Sequence, residues 1–198
     1  LRSGYRQAGF DRVFIVLDVL PFLFDVARVS SFPGGTLDER HRLAITPPTA
    51  HRLWKTCDVA LGIGSRMQPA LQLWGDDADL KVIRIDIDPE EIGRIRQPDI
   101  PLLADAIDAV PALADAIERI VGKSPERPER RTEIAAAKQA VAADFEASLA
   151  PQLAYIRAIR AALPERGIFI DELTQVGYVS RLAFPAYAPR TFVSSGYQ

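Results

Sequence analysis

Residues 58–91 read DVALGIGSRMQPALQLWGDDADLKVIRIDIDPEE, and the reading of this stretch decides the fold. Two apolar runs stand in it. Val59-Ala60-Leu61-Gly62-Ile63-Gly64 ends in a small turn, Gly64-Ser65-Arg66, and Lys81-Val82-Ile83-Arg84-Ile85-Asp86-Ile87-Asp88 ends at Pro89. Short runs rich in Val and Ile, bounded by Gly and Pro, read as buried strands. The stretch between them is long enough for a crossover, so the pair is expected to be parallel. Ligands of open α/β sheets gather at the carboxyl ends of such strands, and Ser65, Arg66, Asp86 and Asp88 fall there. The fold class expected is α/β: a Rossmann-like parallel sheet flanked by helices, followed by the first part of a second α/β domain.

Upstream, Val13-Phe14-Ile15-Val16-Leu17 reads as a strand, while Leu1 to Phe32 otherwise carries no legible chemistry. The apolar run Val13 to Val29 contains Asp18 and Asp25 and is broken by Pro21. Each charge near mid-bilayer costs about 2.5–3.5 kcal/mol, which argues against a membrane span. Phe32 to Pro48 reads as a loop, because Pro33-Gly34-Gly35 and Pro47-Pro48 are breakers. His41, between Arg40 and Arg42, has no second ligand at metal spacing and reads as a surface residue. Thr49 to Thr56 is expected as a short amphipathic helix, capped by Thr49 and buried through Leu53 and Trp54.

Downstream of the first strand, Met67 to Trp74 offers a helical turn, and Asp76, Asp77 and Asp79 read as a solvated acidic turn rather than a cation site. After Asp88 a helix start is expected, with Asp88 as cap, Pro89 in first position and Glu90 and Glu91 at the positive end. Leu102-Leu103 gives a very short strand. A helix over 108–121 is expected, capped by Asp108, with Leu113, Ile117 and Ile120 as its apolar stripe. Residues 122–131 read as a charged, proline-bearing linker. Lys123-Ser124 follows Gly122 but lacks the upstream glycine of a phosphate loop, so that reading is rejected. Two helices follow, 132–149 and 151–163, the second with Leu153, Ile156, Ile159 and Leu163 on one side. Ile168-Phe169-Ile170 reads as a buried strand that delivers Asp171 to Gln175 at its carboxyl end. A helix over 177–184 and a strand at Thr191-Phe192-Val193 complete a new α/β unit, with Ser194-Ser195-Gly196 beginning a turn.

Composition bounds the function. The chain has 198 residues, 48% hydrophobic and 25% charged, an ordinary globular balance. A net charge of −2 gives no electrostatic case for nucleic acid or an anionic membrane. The lone Cys57 rules out an internal disulfide and a cysteine zinc site, and with no secretory signal read, the cytoplasm is expected. Position 1 is Leu1 and the one methionine is Met67, so a partial chain or an unusual start is expected.

Three separated motifs carry a resemblance: DVALGIGSRM, KVIRIDIDPEEIGR and LLADAIDAVPALADAI are similar to the middle domain of thiamine-diphosphate-dependent enzymes of the acetolactate synthase group. AIRAALPERGIFIDELTQVGYVSRLAFPAYAPRTFVSSGYQ resembles the opening of their C-terminal, diphosphate-binding domain. The resemblance runs from about Gly34 to Gln198 and implies an unclear segment over 1–33, a middle domain over 34–122, a linker and helix over 123–147 and an incomplete C-terminal domain over 148–198.

The family's chemistry is decarboxylation of 2-oxo acids or acetolactate-type carboligation, with thiamine diphosphate held through Mg2+. The resemblance implies that Thr174 and Gln175 touch the cofactor diphosphate, and that Ser195 and Gly196 begin the turn approaching its aminopyrimidine. Some relatives bind FAD or ADP in the middle domain; there Arg66, Asp86 and Asp105 occupy the nucleotide-contacting positions. For both aspartates, plain strand-end capping is the structural alternative, and Arg66 could pair with Asp86 or Asp88. The glutamate that activates the cofactor and the Gly-Asp-Gly magnesium motif are absent from these 198 residues. No catalytic residue or metal ligand is therefore assigned, and the chain alone is expected to be inactive. Relatives imply a 2-oxo acid substrate and a homo-oligomer. The competing class is a non-catalytic nucleotide-binding or subunit-interaction domain. Asp171 and Glu172 are not read as an acid–base dyad, since neighbours on a strand point to opposite faces.

Overall fold

A computed structural model describes residues 13–17, 27–29, 38–75, 78–122 and 128–194. The rest of the 1–33 segment, the loop expected around Pro33, Asp76 and Asp77 of the acidic turn, the rejected Lys123-Ser124 pair, and Ser195 and Gly196 lie outside the described residues.

Six strands form one sheet: β1 (Val13–Leu17), β2 (Ala27–Val29), β3 (Ala44–Ile45), β4 (Val59–Ile63), β5 (Lys81–Asp86) and β6 (Ile100–Leu103). Their order is β3-β2-β1-β4-β5-β6, and every pairing is parallel. The chain builds outward from β1 through β2 to β3, returns beside β1 as β4, and builds outward again. The strand order therefore reverses between β1 and β4. The central pair is as expected from its apolar runs, with Val59 opposite Lys81 and Ile63 opposite Ile85. Parallel strands are covered on both faces, and the side chains show it. Ala60 and Val82 pack with Leu43, Trp54, Met67 and Ile134 on one face. Leu61, Ile63 and Ile85 pack with Val110 on the other.

The helices that cover the sheet correct several expectations. α1 spans Pro47–Trp54, so Pro47 and Pro48 open the helix rather than end a loop, and the N-cap position is Thr46, not Thr49. Proline is pre-shaped for a first helical position, where its missing N–H costs nothing. Leu53 and Trp54 are its buried side, as expected. The helical turn after β4 is a π-turn, Ala70–Trp74, whose Trp74 ring meets Trp54 edge-on at 5.2 Å. No helix begins at Pro89. Asp88 Oδ1 accepts from the Glu90 N–H at 2.9 Å, and the chain continues as turns through Gly93.

α2 spans Ala106–Val121 and is capped by Asp105, which accepts from the Ile107 N–H, not by Asp108. Its buried contact is Val110, beside Ala106, Ala109 and Leu113, whereas Ile120 of the expected stripe is 80% exposed.

α3 runs Pro128–Ala162 with one non-helical residue, Leu149, two before Pro151. The proline ring and missing N–H break the helix into the two halves expected. The linker is shorter than expected, because Pro128 to Arg131 are already helical. Leu153 and Ile156 are buried and Ile159 is 36% exposed.

β7 (Phe169–Ile170) and β8 (Phe192–Val193) form a separate parallel pair joined through α4 (Gln175–Ala183). Phe169, Phe184 and Phe192 pack with Leu153, Ile156 and Val179, and the rings of Phe169 and Phe184 stack at 4.2 Å. Burying a side chain such as Phe184 is worth about 1.5–3 kcal/mol. Only Phe169 faces this core. Ile168 and Ile170 are 60% and 66% exposed, so the run is not the fully buried strand expected. No helix among the described residues is long and apolar enough to cross a membrane.

Candidate functional site

The carboxyl ends of β4, β5 and β6 lie side by side, and β4 flanks the reversal of strand order, where open α/β sheets bind ligands. β4 hands over to Gly64, whose φ of 57 suits a residue without Cβ and whose N–H donates to Ile85 O at 2.9 Å. Ser65 is buried, and its Oγ accepts from the Met67 N–H at 3.2 Å. β5 hands over to Asp86-Ile87-Asp88. The Ala104 N–H donates to Asp86 O at 3.0 Å, which sets Asp105 next to the end of β5. Arg66, Asp86 and Asp105 thus end three neighbouring strands, as the sequence placed them.

A polar network ties two of the three together. Arg66 grips Glu91 with Nε and with Nη2, the latter at 2.9 Å, and Arg94 donates to the same carboxylate. Arg66 therefore pairs with Glu91, not with Asp86 or Asp88. The hydrogen bond from Arg66, aided by that from Arg94, pushes the Glu91 carboxyl from its ordinary 4.5 down to about 2. Below Glu91, Arg84 is fully buried. Its Nη2 donates to Asp86 Oδ2 at 2.9 Å and to the Glu91 main-chain carbonyl at 3.2 Å. Its Nε and Nη1 have no hydrogen-bond partner. Asp86 Oδ1 accepts from the Asp88 N–H at 3.2 Å. Three cationic side chains, Arg66, Arg84 and Arg94, and two carboxylates, Asp86 and Glu91, are thus linked, with Asp86 only 12% exposed and Arg66 half-exposed. Asp86 keeps lone pairs for a hydroxyl donor. Asp105 is exposed but caps α2 at 2.9 Å.

The second group sits at the end of β7. Thr174 caps α4, its Oγ1 accepting from the Gly177 N–H at 3.0 Å. Gln175 is exposed, and its Oε1 accepts from Gln152 Nε2 at 3.1 Å. Gly177 lets the helix meet the turn, since a Cβ there would stand 1.8 Å from Glu172 O. Asp171 is buried and accepts from Arg181 and, at 3.1 Å, from Ser194 Oγ, whereas Glu172 is exposed. The two acids face different surroundings, so no dyad forms. Among the described residues no hydrogen bond joins Arg66, Asp86 or Asp105 to Thr174 or Gln175.

Arg84, Glu91 and Gly177 were not singled out by sequence reasoning. Arg84 had a usable signal, since it shares its strand parity with Val82 and Asp86 and had to point to one covered face. Among the described residues, no group of three or more His, Cys, Asp or Glu could hold a metal ion.

Residues 29–113 match the family model of the thiamine pyrophosphate enzyme central domain. The chain is 33% identical over 91 residues to the acetolactate synthase large subunit of Corynebacterium glutamicum, an alignment covering 41% of this chain and 14% of that protein. It is 25% identical over 176 residues to a sulfoacetaldehyde acetyltransferase of Roseovarius nubinhibens, covering 71% of this chain and 28% of that protein. The chain spans less than a third of the length of these relatives.

Proposed function

We propose, for a chain whose residues 29–113 match the central domain of thiamine pyrophosphate enzymes, that it is part of a thiamine-diphosphate-dependent 2-oxo acid decarboxylase or carboligase resembling acetolactate synthase. The observation that carries this reading is the parallel sheet reversing between β1 and β4, with Arg66 and Asp86 at its carboxyl edge, followed by a fresh βαβ unit capped at Thr174. In this reading residues 34–122 are the middle domain, 123–147 the linker and helix, and 148–198 the start of the diphosphate-binding domain.

The residues fit the cofactor in part. The amides of the first turn of α4 have no acceptor within the helix, and the positive helix end favours a phosphate. Gln175 stands there exposed, and its amide N–H would be the donor offered to a diphosphate oxygen. Thr174 Oγ1 already caps the helix, so its contribution is to hold the turn in shape. Among the described residues no group of three or more carboxylates stands ready for Mg2+, and no ligand for it is assigned. When bound, thiamine diphosphate supplies the carbanion-stabilising chemistry. This chain's own part is to hold one end of it. In the middle domain, Arg66 and Asp86 are the groups for an ADP or FAD contact, Arg66 toward phosphate and Asp86 toward ribose hydroxyls.

The chain by itself is expected to show no turnover of pyruvate with thiamine diphosphate and magnesium, and activity of the purified 198 residues would contradict that expectation. The family reading itself is tested on the DNA around the coding segment. A frame running on to a Gly-Asp-Gly motif followed by Asn supports it, and flanks coding for no such motif overturn it.

A further inference from the structure

α3 is bent. At Leu149 the backbone turns to φ −130 and ψ 17, two residues before Pro151. The halves on either side of that bend, together with β3, the start of α1 and the segment after α4, line an open cavity of about 620 Å3. Ile45, Val141, Phe145, Leu153 and Ile156 give it a mostly apolar wall. Cavities of a few hundred Å3 with apolar walls and a few placed polar groups are the usual form of small-molecule sites.

Three cations line this cavity, and two of them, Lys138 and Arg160, make no ion pair among the described residues. Lys138 is half-buried, and its Nζ donates to Ala44 O at 2.9 Å, which leaves two of its hydrogens for another acceptor. Burial holds its pKa below the ordinary lysine value, against the opposing field of Glu39 on the same wall. Arg160 is 9% exposed and donates to the carbonyls of Leu163, Pro164 and Pro185, under the rings of Phe184 and Tyr187. The remaining charged groups on the wall are Glu146, paired with Arg157, and Glu165, which pairs with Arg40 outside it. An apolar chamber with an incompletely satisfied ammonium matches a molecule that has a hydrocarbon body and one negative end.

We propose that this cavity binds a small aliphatic carboxylate, its carboxylate on the Lys138 ammonium and its hydrocarbon against Val141, Phe145 and Leu153. None of Arg66, Asp86, Asp105, Thr174 or Gln175 lines this cavity. Lys138→Met keeps the length of the side chain and removes the charge, and Ala142→Trp fills the chamber.

Octanoate is the probe. Titration calorimetry on the 198-residue chain is expected to show saturable binding, weakened about tenfold or more by Lys138→Met and lost in Ala142→Trp. Octanol, with the same tail and no charge, is expected to bind at least about tenfold more weakly. No saturable heat in the unaltered chain, or equal affinity after Lys138→Met, overturns the proposal. A further measurement needs no variant: an amine-reactive ester modifies Lys138, read by peptide mass spectrometry. Saturating octanoate is expected to slow that modification about tenfold, and an unchanged rate overturns the proposal.

Discussion

Gly62 and Arg84 face each other across β4 and β5, and the arginine side chain lies over the glycine. A Cβ at position 62 would stand 3.3 Å from Arg84 Cδ and 2.5 Å from Met67 Sδ. The missing side chain is the space in which a buried arginine and a methionine lie. Gly62→Val is expected to overpack this site and to cost about 1–3 kcal/mol, read as a lower urea midpoint. Unchanged stability would show that Arg84 and Met67 move aside freely.

Arg84 and Asp86 depend on each other, because both are largely withdrawn from water. Removing one partner of a buried pair strands the other charge, at about 3–5 kcal/mol. Asp86→Ala is therefore expected to destabilise strongly. The double variant Arg84→Met with Asp86→Asn is expected to fall within about 1 kcal/mol of the unaltered chain or above it. Equal losses in the single and double variants, by urea unfolding, would mean that the pair carries no coupling.

Glu91 gives a pH signature. Its folded-state pKa is depressed, so its stabilising contribution is complete above its ordinary 4.5 and is lost as pH falls toward about 2. Stability should decline with acid in that window. The gap between the unaltered chain and Glu91→Gln should be constant near neutrality and close as pH drops through the window. A gap that does not change with pH would place the Arg66–Glu91 contact outside the folding equilibrium.

Asp105 separates capping from nucleotide contact. Asp105→Ala is expected to cost about 0.5–2 kcal/mol as a lost helix cap, and Asp105→Ser to recover most of that. If the cap is its whole role, Asp105→Ser leaves ADP titration unchanged, while Arg66→Ala weakens it. A loss of ADP affinity in Asp105→Ser that matches the Arg66→Ala loss would give Asp105 the second role.

The sheet was legible because its strands announce themselves locally. β4 and β5 are runs of Val, Ile and Leu with a glycine turn after one and a proline after the other, and Ser65, Arg66, Asp86 and Asp88 could be placed from that alone. What failed was the choice between neighbours with the same chemistry. Asp105 and Asp108 both stand before an apolar helix, and the cap went to the earlier one. Pro47-Pro48 breaks a helix or begins one, and the local residues do not decide which. Asp88 makes a cap-like bond to the Glu90 N–H, yet the chain runs on as turns and no helix follows Pro89. The Arg66–Glu91 contact joins positions 25 residues apart, a distance at which periodicity says nothing. At the second place, Thr174 was foreseen as a polar group at a strand end, but its cap to Gly177 depends on a close approach of backbone that only the fold shows.

Pro101 sits in β6, the outermost strand, opposite Arg84. Proline has no N–H, so a strand arriving from another molecule would find one rung of the ladder missing at that rim. Leu102 and Leu103 beside it are exposed, an invitation to sticking that the imino acid partly withdraws. The rim on the β6 side is in this way blunted against end-to-end growth of neighbouring molecules into a continuous ribbon.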